Sequence, residues 1–122
     1  MQPYLDLKNN PWVDIELDLS VKTDVKCLID TGFSGGIALP HYYFSLFKNK
    51  VPISTENYEF ANGQQNEFAI YALTVRVNKI KVDVKVMFIE SGMPLVGISF
   101  LKHFTFEMCI PKKQISLNIF KS

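Results

Sequence analysis

The sequence predicts a small, all-β domain of sandwich or barrel type with one or two short helices. Three observations support that fold class: many short runs alternate apolar and polar residues, turn-forming residues separate these runs at regular intervals, and only two short stretches show helical spacing. With 122 residues, the chain is expected to form one domain over 1–122. It contains 48% hydrophobic and 20% charged residues, which is ordinary usage for a globular protein.

The first part of the chain predicts a strand hairpin followed by a short helix. Residues 12–19 alternate apolar and polar side chains, which is typical of a half-buried strand, and segment 5–7 alternates in the same way. A polar break leads to a second strand that ends at Ile29. Pro40 then suits the first turn of a helix, and residues 41–48 carry aromatic side chains at helical spacing. We therefore expect one short helix there.

The rest of the chain predicts two successive hairpins, a second short helix and a last strand. Asn62-Gly63 is the dipeptide that best fits a tight hairpin turn, and Asn78-Lys79 separates two further alternating runs. Ile98 to Phe104 have apolar residues spaced for one or two helical turns. Residues 115–119 alternate again, so we expect a final strand.

The charge pattern excludes several classes of partner. Thirteen basic residues oppose twelve acidic ones for a net charge of +1, and Arg76 is the single arginine, which argues against nucleic acid as a partner. Residues 1–4 have neither the charged start nor the apolar stretch of a secretory signal, and no apolar run is long enough to span a membrane. These features predict a soluble, cytoplasmic protein without a membrane partner.

The cysteines and histidines do not form a metal-binding pattern. Cys27 and Cys109 lie far apart without C-x-x-C spacing, and the chain has only two histidines. We therefore expect no metal and no cofactor, and we interpret both thiols as buried small hydrophobic groups.

The motif with chemical content is Leu28-Ile29-Asp30-Thr31-Gly32, in which an acid follows the end of an apolar strand and precedes a glycine. A carboxylate at that point leaves the core at the edge of a cleft, and the glycine lets backbone and substrate come close. The tripeptide D-T-G is a weak signal by itself, because it occurs by chance in about one chain in forty of this length.

In combination with two other motifs, this stretch resembles the retropepsin-like (clan AA) aspartic proteases. Cys27-Leu28-Ile29-Asp30-Thr31-Gly32 is followed by Ile37-Ala38-Leu39-Pro40 and later by Leu95-Val96-Gly97, a predicted helix and a last strand, in the order of that family. The resemblance extends over about residues 12–120. It implies the acid protease fold, a closed β-barrel with one D-T-G lobe per chain, and it puts Asn62-Gly63 at the tip of a flap hairpin.

The resemblance also implies an aspartic endopeptidase that acts as a homodimer. Aspartic proteolysis needs two carboxylates that share one proton, and this chain has one D-T-G, so the second Asp30 has to come from a second chain. Asp30 is the implied catalytic group. Thr31 is implied to fix the two carboxylates from below, and Gly32 to present backbone to an extended peptide.

Two departures from the family pattern affect the expected specificity and the expected dimer. Phe33 stands where the family usually has a small residue, which narrows the cleft or changes which side chains fit. Ser34 and Ile98 replace an aspartate and an arginine that pair in retroviral members, so the dimer has to depend on other contacts, such as the strand-like ends of the chain. The residues expected to bind the substrate are Phe33, Ser34, Asn62, Gly63 and Gln64.

Three alternative interpretations are open at this point. Gly32 to Gly36 match the G-x-S-x-G elbow of serine hydrolases with Ser34 as nucleophile, but that elbow needs a helix directly after it. Asp30 is also compatible with a turn aspartate that binds nearby backbone amides. Finally, a retropepsin-fold homodimer in which Phe33 blocks the cleft would bind peptides or proteins without cutting them.

Overall fold

The computed structural model describes residues 3–59, 63, 65–90 and 92–120, and within these ranges it contains ten strands, one 3₁₀ helix and one short α-helix. The strands are β1 (Tyr4–Leu5), β2 (Pro11–Leu17), β3 (Thr23–Ile29), β4 (Ile37–Pro40), β5 (Ser54–Glu59), β6 (Gln65–Val77), β7 (Ile80–Ile89), β8 (Leu95–Val96), β9 (Phe104–Cys109) and β10 (Gln114–Ile119). The 3₁₀ helix is His41–Phe47, and α1 is Ile98–Leu101. No helix of the described residues is long and apolar enough to cross a membrane.

Eight of the strands form one sheet that closes on itself. Their order is β1-β2-β3-β8-β4-β7-β6-β5, and a further antiparallel pairing of β2 with β6 completes a ring. The pairs β3–β8 and β4–β7 are parallel, whereas β9 and β10 form a separate antiparallel pair. The predicted all-β fold class is confirmed.

The hydrophobic core fills the inside of this ring. In β2, Val13, Ile15 and Leu17 are at most 1% exposed, because alternate side chains of a strand point to the same face. Phe47 of the 3₁₀ helix and Phe100 of α1 are the two largest fully buried side chains, and they anchor both helices to the core. Burial of one phenylalanine side chain stabilises a fold by about 1.5–3 kcal/mol.

Two hairpin connections join β5 to β6 and β6 to β7. Asn78 and Lys79 join β6 to β7 with φ angles of 50° and 71°, the pattern of a two-residue type I′ turn. The pairing of β5 with β6 ends at Glu59 and Gln65, and Gly63 in the connection has a φ of 81°. Asn62 and Gln64, which the sequence puts at the tip of this hairpin, lie outside the described residues.

The second predicted helix is shorter than expected. It ends at Leu101, and Phe104 instead begins β9, a strand that the sequence pattern did not predict. In β9, Phe104 pairs with Ile119 and Phe106 pairs with Leu117. This pairing gives the backbone N–H and C=O groups of β9 partners in β10, so the chain forms a strand there rather than a further helical turn.

Two further differences concern the ends of predicted elements. Segment 5–7 is not a strand beyond Leu5, because the Asp6 carboxylate accepts hydrogen bonds from the backbone N–H groups of Lys8 and Asn10 and folds the chain into a turn. Leu7 is consequently 99% exposed. The first predicted helix is present but has 3₁₀ geometry and ends at Phe47.

Candidate active site

Asp30 lies directly after β3, in the loop that leads to β4. Its backbone N–H donates to the carbonyl oxygen of Val96 at 2.9 Å, and its own carbonyl oxygen accepts from the N–H of Phe33 at 3.1 Å. The carboxylate oxygen Oδ1 accepts from the N–H of Gly32 at 2.9 Å. The half-buried carboxylate is therefore held in one orientation by a tight turn.

Strand β8 brings the second motif against the first. It lies between β3 and β4, with Ile29 paired to Val96 on one side and Ile37 paired to Val96 on the other. Directly after β8, the N–H of Gly97 donates to the Gly36 carbonyl at 2.8 Å. The segments with Asp30 and with Gly97, which are distant in the sequence, thus form one substructure.

The first backbone N–H groups of α1 bind the loop of Asp30. The N–H of Ile98 donates to the Phe33 carbonyl at 2.8 Å, and the N–H of Ser99 donates to the Gly35 carbonyl at 3.1 Å. A Cβ atom at Gly97 would lie 2.5 Å from the Gly35 oxygen, so only glycine permits this approach. We call residues 30–36, held in this way, the floor loop.

Phe33 is buried rather than exposed in the cleft, with 8% of its surface accessible. Its ring lies against Gly35, where a Cβ atom would be 2.5 Å from Phe33 Cζ. On the other side the ring is 5.8 Å from the Tyr58 ring, centroid to centroid. Phe33 belongs to a small apolar cluster with Ala38, Ile70 and Met87 that is separate from the main core.

The hairpin of β5 and β6 carries a polar network beside this ring. We call it the flap hairpin after the role that the resemblance implies. The Tyr58 hydroxyl donates to Glu56 Oε1 at 2.9 Å, and Lys85 Nζ of β7 donates to Glu56 Oε2 at 3.0 Å. The hydrogen bond from Lys85, followed by that from Tyr58, lowers the pKa of Glu56. Burial, together with the bond to Glu56, raises the pKa of Tyr58 to about 12.

A groove of about 370 Å³ opens beside Asp30. Its walls come from β2, β3 and β9. The lining residues include Asp30, Thr31, Pro11, Phe106 and Met108. Thr31 is exposed and Met108 is 43% exposed, so this groove has an accessible, partly apolar wall next to the carboxylate.

Most of the predicted site residues lie together in the floor loop. Asp30 is half-buried, Thr31, Gly32 and Ser34 are exposed, and Phe33 is buried. Gly63 lies in the connection of the flap hairpin, and no atom of the described residues comes within 4 Å of the position that a Cβ atom would take there. The predicted substrate-binding residues Asn62 and Gln64 fall outside the described part of the chain.

Two of the alternative interpretations meet specific geometry. After Ser34 the chain continues into β4 at Ile37, so the helix that a serine-hydrolase elbow requires is replaced by a strand. The bond from Gly32 to Asp30 Oδ1 is the kind of backbone contact that a turn aspartate makes, but within the described residues it uses only one of the two carboxylate oxygens.

Three residues near the site were not predicted from the sequence: Glu56, Tyr58 and Lys85. Glu56 and Tyr58 lie on one face of β5 by strand alternation, which was a usable signal. Lys85 reaches Glu56 only because β5, β6 and β7 are neighbours in the sheet. Cys27 is buried in the core as expected, whereas Cys109, at the end of β9, is only half-buried.

Comparison with solved structures identifies the fold. The chain is similar to a retropepsin-like aspartic protease from Rickettsia conorii, with a TM-score of 0.69 and 24% identity over 98% of this chain and 89% of the other. It is also similar to the simian foamy virus (mac) protease, with a TM-score of 0.55 and 21% identity over 75% of this chain and 91% of the other. The EIAV protease in complex with the inhibitor HBY-793 gives a TM-score of 0.58 and 14% identity over 80% and 89% of the two chains.

These likenesses concern three-dimensional structure. No protein-family model matches the chain, and no curated protein matches its sequence. The chain combines this structural similarity with three features described above: the ring-shaped sheet, β8 between β3 and β4, and the short helix after Gly97. The chain therefore has the retropepsin-like fold of aspartic proteases.

Proposed function

We propose that residues 1–122 form one aspartic endopeptidase domain that works as a homodimer, with a water molecule activated between two Asp30 carboxylates, one from each protomer. The observation that carries this proposal is the setting of Asp30 at the end of β3. Its backbone is bonded to Val96, and its Oδ1 is bonded to the N–H of Gly32. A carboxylate that is oriented beforehand loses little freedom when it positions a water molecule.

The chemistry follows from two neighbouring carboxyl groups that hold one proton between them. The ionised carboxylate takes a proton from water as the water oxygen attacks the peptide carbonyl, while the protonated partner gives its proton to the carbonyl oxygen. Collapse of the tetrahedral intermediate breaks the C–N bond: the leaving amine takes a proton from one carboxyl group, and the other carboxylate takes a proton from a hydroxyl group of the intermediate, so the dyad again holds one proton. Each Asp30 is catalytic in this scheme, Thr31 holds the pair in place, and Gly32 offers its backbone to the substrate.

The proposed dimer brings a second protomer to the exposed side of Asp30. The groove beside Asp30 and Thr31 has Met108 in its wall, and Ile98, which follows Gly97 directly, is 47% exposed. Burial of such apolar side chains against a symmetry-related copy stabilises a twofold interface. This surface takes over the role of the ion pair that Ser34 and Ile98 cannot form.

The proposed substrate is an extended peptide that lies between the floor loop and the flap hairpin. An extended chain pairs with backbone groups as an additional strand does, and closure of a hairpin over it excludes water. The proposed contacts are with Phe33, Ser34, Asn62, Gly63 and Gln64.

The test is cleavage of a mixed peptide library at mildly acidic pH by the wild-type chain and by Asp30→Asn. We expect cleavage by the wild type, inhibition by a statine-containing peptide that imitates the tetrahedral intermediate, and loss of cleavage in the variant. Analytical ultracentrifugation serves as the control, because the variant has to keep the fold and the dimer. Cleavage that survives the substitution, or a wild-type chain that stays monomeric even with inhibitor, would contradict the proposal.

The burial of Phe33 favours one other candidate function. The ring of Phe33 packs against both Gly35 and Tyr58 and so connects the floor loop to β5. A homodimer of this fold that binds peptides or proteins without cutting them is therefore the second candidate. Binding of library peptides without any cleavage, unchanged in Asp30→Asn, distinguishes it from the enzyme.

A further inference from the structure

A pocket of about 310 Å³ is lined by the 3₁₀ helix, β6 and β7, and we call it the aromatic pocket. The residues that line it include His41, Phe44, Glu67, Tyr71 and Phe88. None of its described lining residues belongs to the floor loop, so it is separate from the groove beside Asp30. Its volume is at the low end of the range of about 300–1,000 Å³ for ligand pockets, which suits one side chain rather than a larger molecule.

The walls of the aromatic pocket are rings that stand nearly at right angles to one another. The Phe44 and Phe88 rings are 5.2 Å apart with an interplanar angle of 89°, and the Tyr71 ring is 5.5 Å from that of Phe88 at 77°. His41 stacks on Phe44 at 5.2 Å. Phe44 is 39% exposed, so solvent reaches this corner. Because the face of an aromatic ring carries negative charge density, a cation between perpendicular rings is attracted to a ring face.

The charges around the pocket also favour a cation. Glu67 is the only carboxylate among the described lining residues, it is exposed, and it forms no ion pair with any described residue. The described segments 54–59 and 65–70 of the flap hairpin contain three glutamates and neither lysine nor arginine. Lys85 of β7 pairs with one of them, Glu56. The pocket therefore lies in a negative part of the surface, where a positive group is stabilised.

We propose that the aromatic pocket binds an arginine side chain of a polypeptide. The guanidinium group is planar, so it stacks on the face of a ring such as Phe44 or Phe88, and its N–H groups donate to the carboxylate of Glu67. A lysine ammonium group is compact and strongly hydrated, so it gains less from flat aromatic walls.

The position of the pocket indicates which polypeptide supplies the arginine. Phe68 lines the pocket, and its ring is 6.2 Å from that of Tyr58, which in turn is 5.8 Å from the Phe33 ring of the floor loop. The pocket is thus on the hairpin that borders the proposed cleft. We assign the arginine to a segment of the protein substrate outside the cleft, and this assignment rests on the proposed function, whereas arginine binding by the pocket does not.

The first test is an NMR titration of the wild-type chain with three blocked pentapeptides at neutral pH. Each has two glycines on either side of a central arginine, lysine or citrulline, and citrulline has nearly the shape of arginine without the charge. We expect saturable shifts of the amide signals of Phe44, Glu67 and Ala69, and a Kd at least about fivefold lower for the arginine peptide than for the citrulline peptide. Equal Kd values for arginine and citrulline, or for arginine and lysine, overturn the inference.

Glu67→Gln and Phe44→Leu test the two parts of the pocket. Each should raise the Kd of the arginine peptide by about two- to fivefold, because one removes the carboxylate and the other an aromatic face. Glu59→Gln and Phe120→Leu are the matched controls, since both residues are exposed and neither lines the pocket. They should leave the Kd unchanged. An unchanged Kd in both pocket variants overturns the inference.

The second test concerns the assignment to the substrate. A peptide that the wild type cuts is extended at either end by Gly-Ser linkers of several lengths that finish in arginine or citrulline. We expect one arginine extension to lower KM by about threefold or more relative to its citrulline counterpart in the wild type but not in Glu67→Gln. The unextended peptide should be cut equally by both proteins. Equal KM values for every pair of extensions overturn the assignment to the substrate. Arginine-specific binding without cleavage of any peptide supports the pocket and contradicts the proposed enzyme instead.

Discussion

The backbone N–H of Asp30 donates to the carbonyl oxygen of Val96 at 2.9 Å and joins the end of β3 to the end of β8. The next residue after Val96 is Gly97, whose position leaves no room for a side chain. The geometry around the carboxylate of Asp30 is therefore determined by two segments at once. A substitution at Gly97 should therefore disturb the loop of Asp30 although the sequence of that loop is unchanged.

Gly97→Ala is expected to destabilise the protein by about 1–3 kcal/mol or more. The added methyl group would lie 2.5 Å from the Gly35 oxygen, and a backbone carbonyl in a hydrogen-bonded loop cannot yield as a flexible side chain does. Urea unfolding measures the change in free energy. Ser99→Ala, two residues later in α1, is the control and should cost less than about 1 kcal/mol. Equal stability of the two variants would refute the close packing at Gly97.

The sequence predicted those parts of the fold that follow from local patterns. Alternation identified β2 and β3, and the D-T-G motif put Asp30 at the end of a strand, where it lies. Strand β9 was not predicted, because Phe104 fits both the end of a helix and the start of a strand until its pairing with Ile119 is known. Tertiary pairing, which a single sequence does not contain, decides such cases.

The candidate site also has a part that could be predicted from the sequence and a part that could not. The floor loop around Asp30 was predicted from residues that are adjacent in the chain. The burial of Phe33 was not, because it depends on Tyr58 from another strand. The pairing of Glu56 with Lys85 also requires the order of strands in the sheet.

Trp12 is expected to report the protonation of Asp6. Its indole Nε1 donates to Asp6 Oδ2 at 2.9 Å, and this bond, followed by the N–H of Asn10, lowers the pKa of Asp6 from 3.8 to about 2. Because the folded-state pKa lies below the unfolded one, the contribution of Asp6 to stability is complete above about pH 4 and is lost as the pH falls through about 2. Trp12 is the only tryptophan, so its fluorescence should titrate with a midpoint near pH 2.

Asp6→Asn provides the control for that titration. Asparagine does not titrate, so the fluorescence step should disappear in the variant. The urea midpoint of the variant should also fall less than that of the wild type between about pH 4 and pH 2. A wild-type step that persists unchanged in Asp6→Asn would assign the signal to another group.

Lys79→Gly is expected to stabilise the protein by about 0.5–1 kcal/mol. Lys79 has a φ of 71° in the turn between β6 and β7, and glycine adopts that conformation without the steric cost of a Cβ atom. The change creates Asn-Gly, the preferred pair for a type I′ turn. Thermal unfolding measures the gain.

Lys81→Gly is the comparison for the turn variant. Lys81 is an exposed residue within β7, paired with Arg76 of β6, so glycine there should destabilise the protein. If both glycine variants change the melting temperature in the same direction, the strain assigned to Lys79 is absent.

The ion pair of Glu56 with Lys85 is expected to fasten the flap hairpin in a pH-dependent manner. The pKa of Glu56 is lowered below its ordinary value of 4.5, first by the bond from Lys85, so its stabilising effect is complete above 4.5 and is lost as the pH falls through the lowered value. The pair is partly exposed, and its contribution should be only about 0.2–1 kcal/mol. Hydrogen exchange of the β5 amides, compared with Glu56→Gln, measures this effect.

The exchange rates of the β5 amides should differ between the two proteins by up to about fivefold above pH 5. The rates should converge in acid, where residue 56 is uncharged in both proteins. Amides of β2, which does not pair with β5, serve as the internal reference. A difference that does not change with pH would show that the carboxylate charge has no part in holding the hairpin.

The parallel pairings of β3 with β8 and of β4 with β7 have a consequence for biosynthesis. During translation, the segment with Asp30 leaves the ribosome long before residues 94–99, which supply its hydrogen-bond partners. Contacts between segments so far apart in sequence form slowly, because the intervening chain must first be ordered. A nascent polypeptide therefore cannot assemble its Asp30 loop until residues 94–99 have left the ribosome.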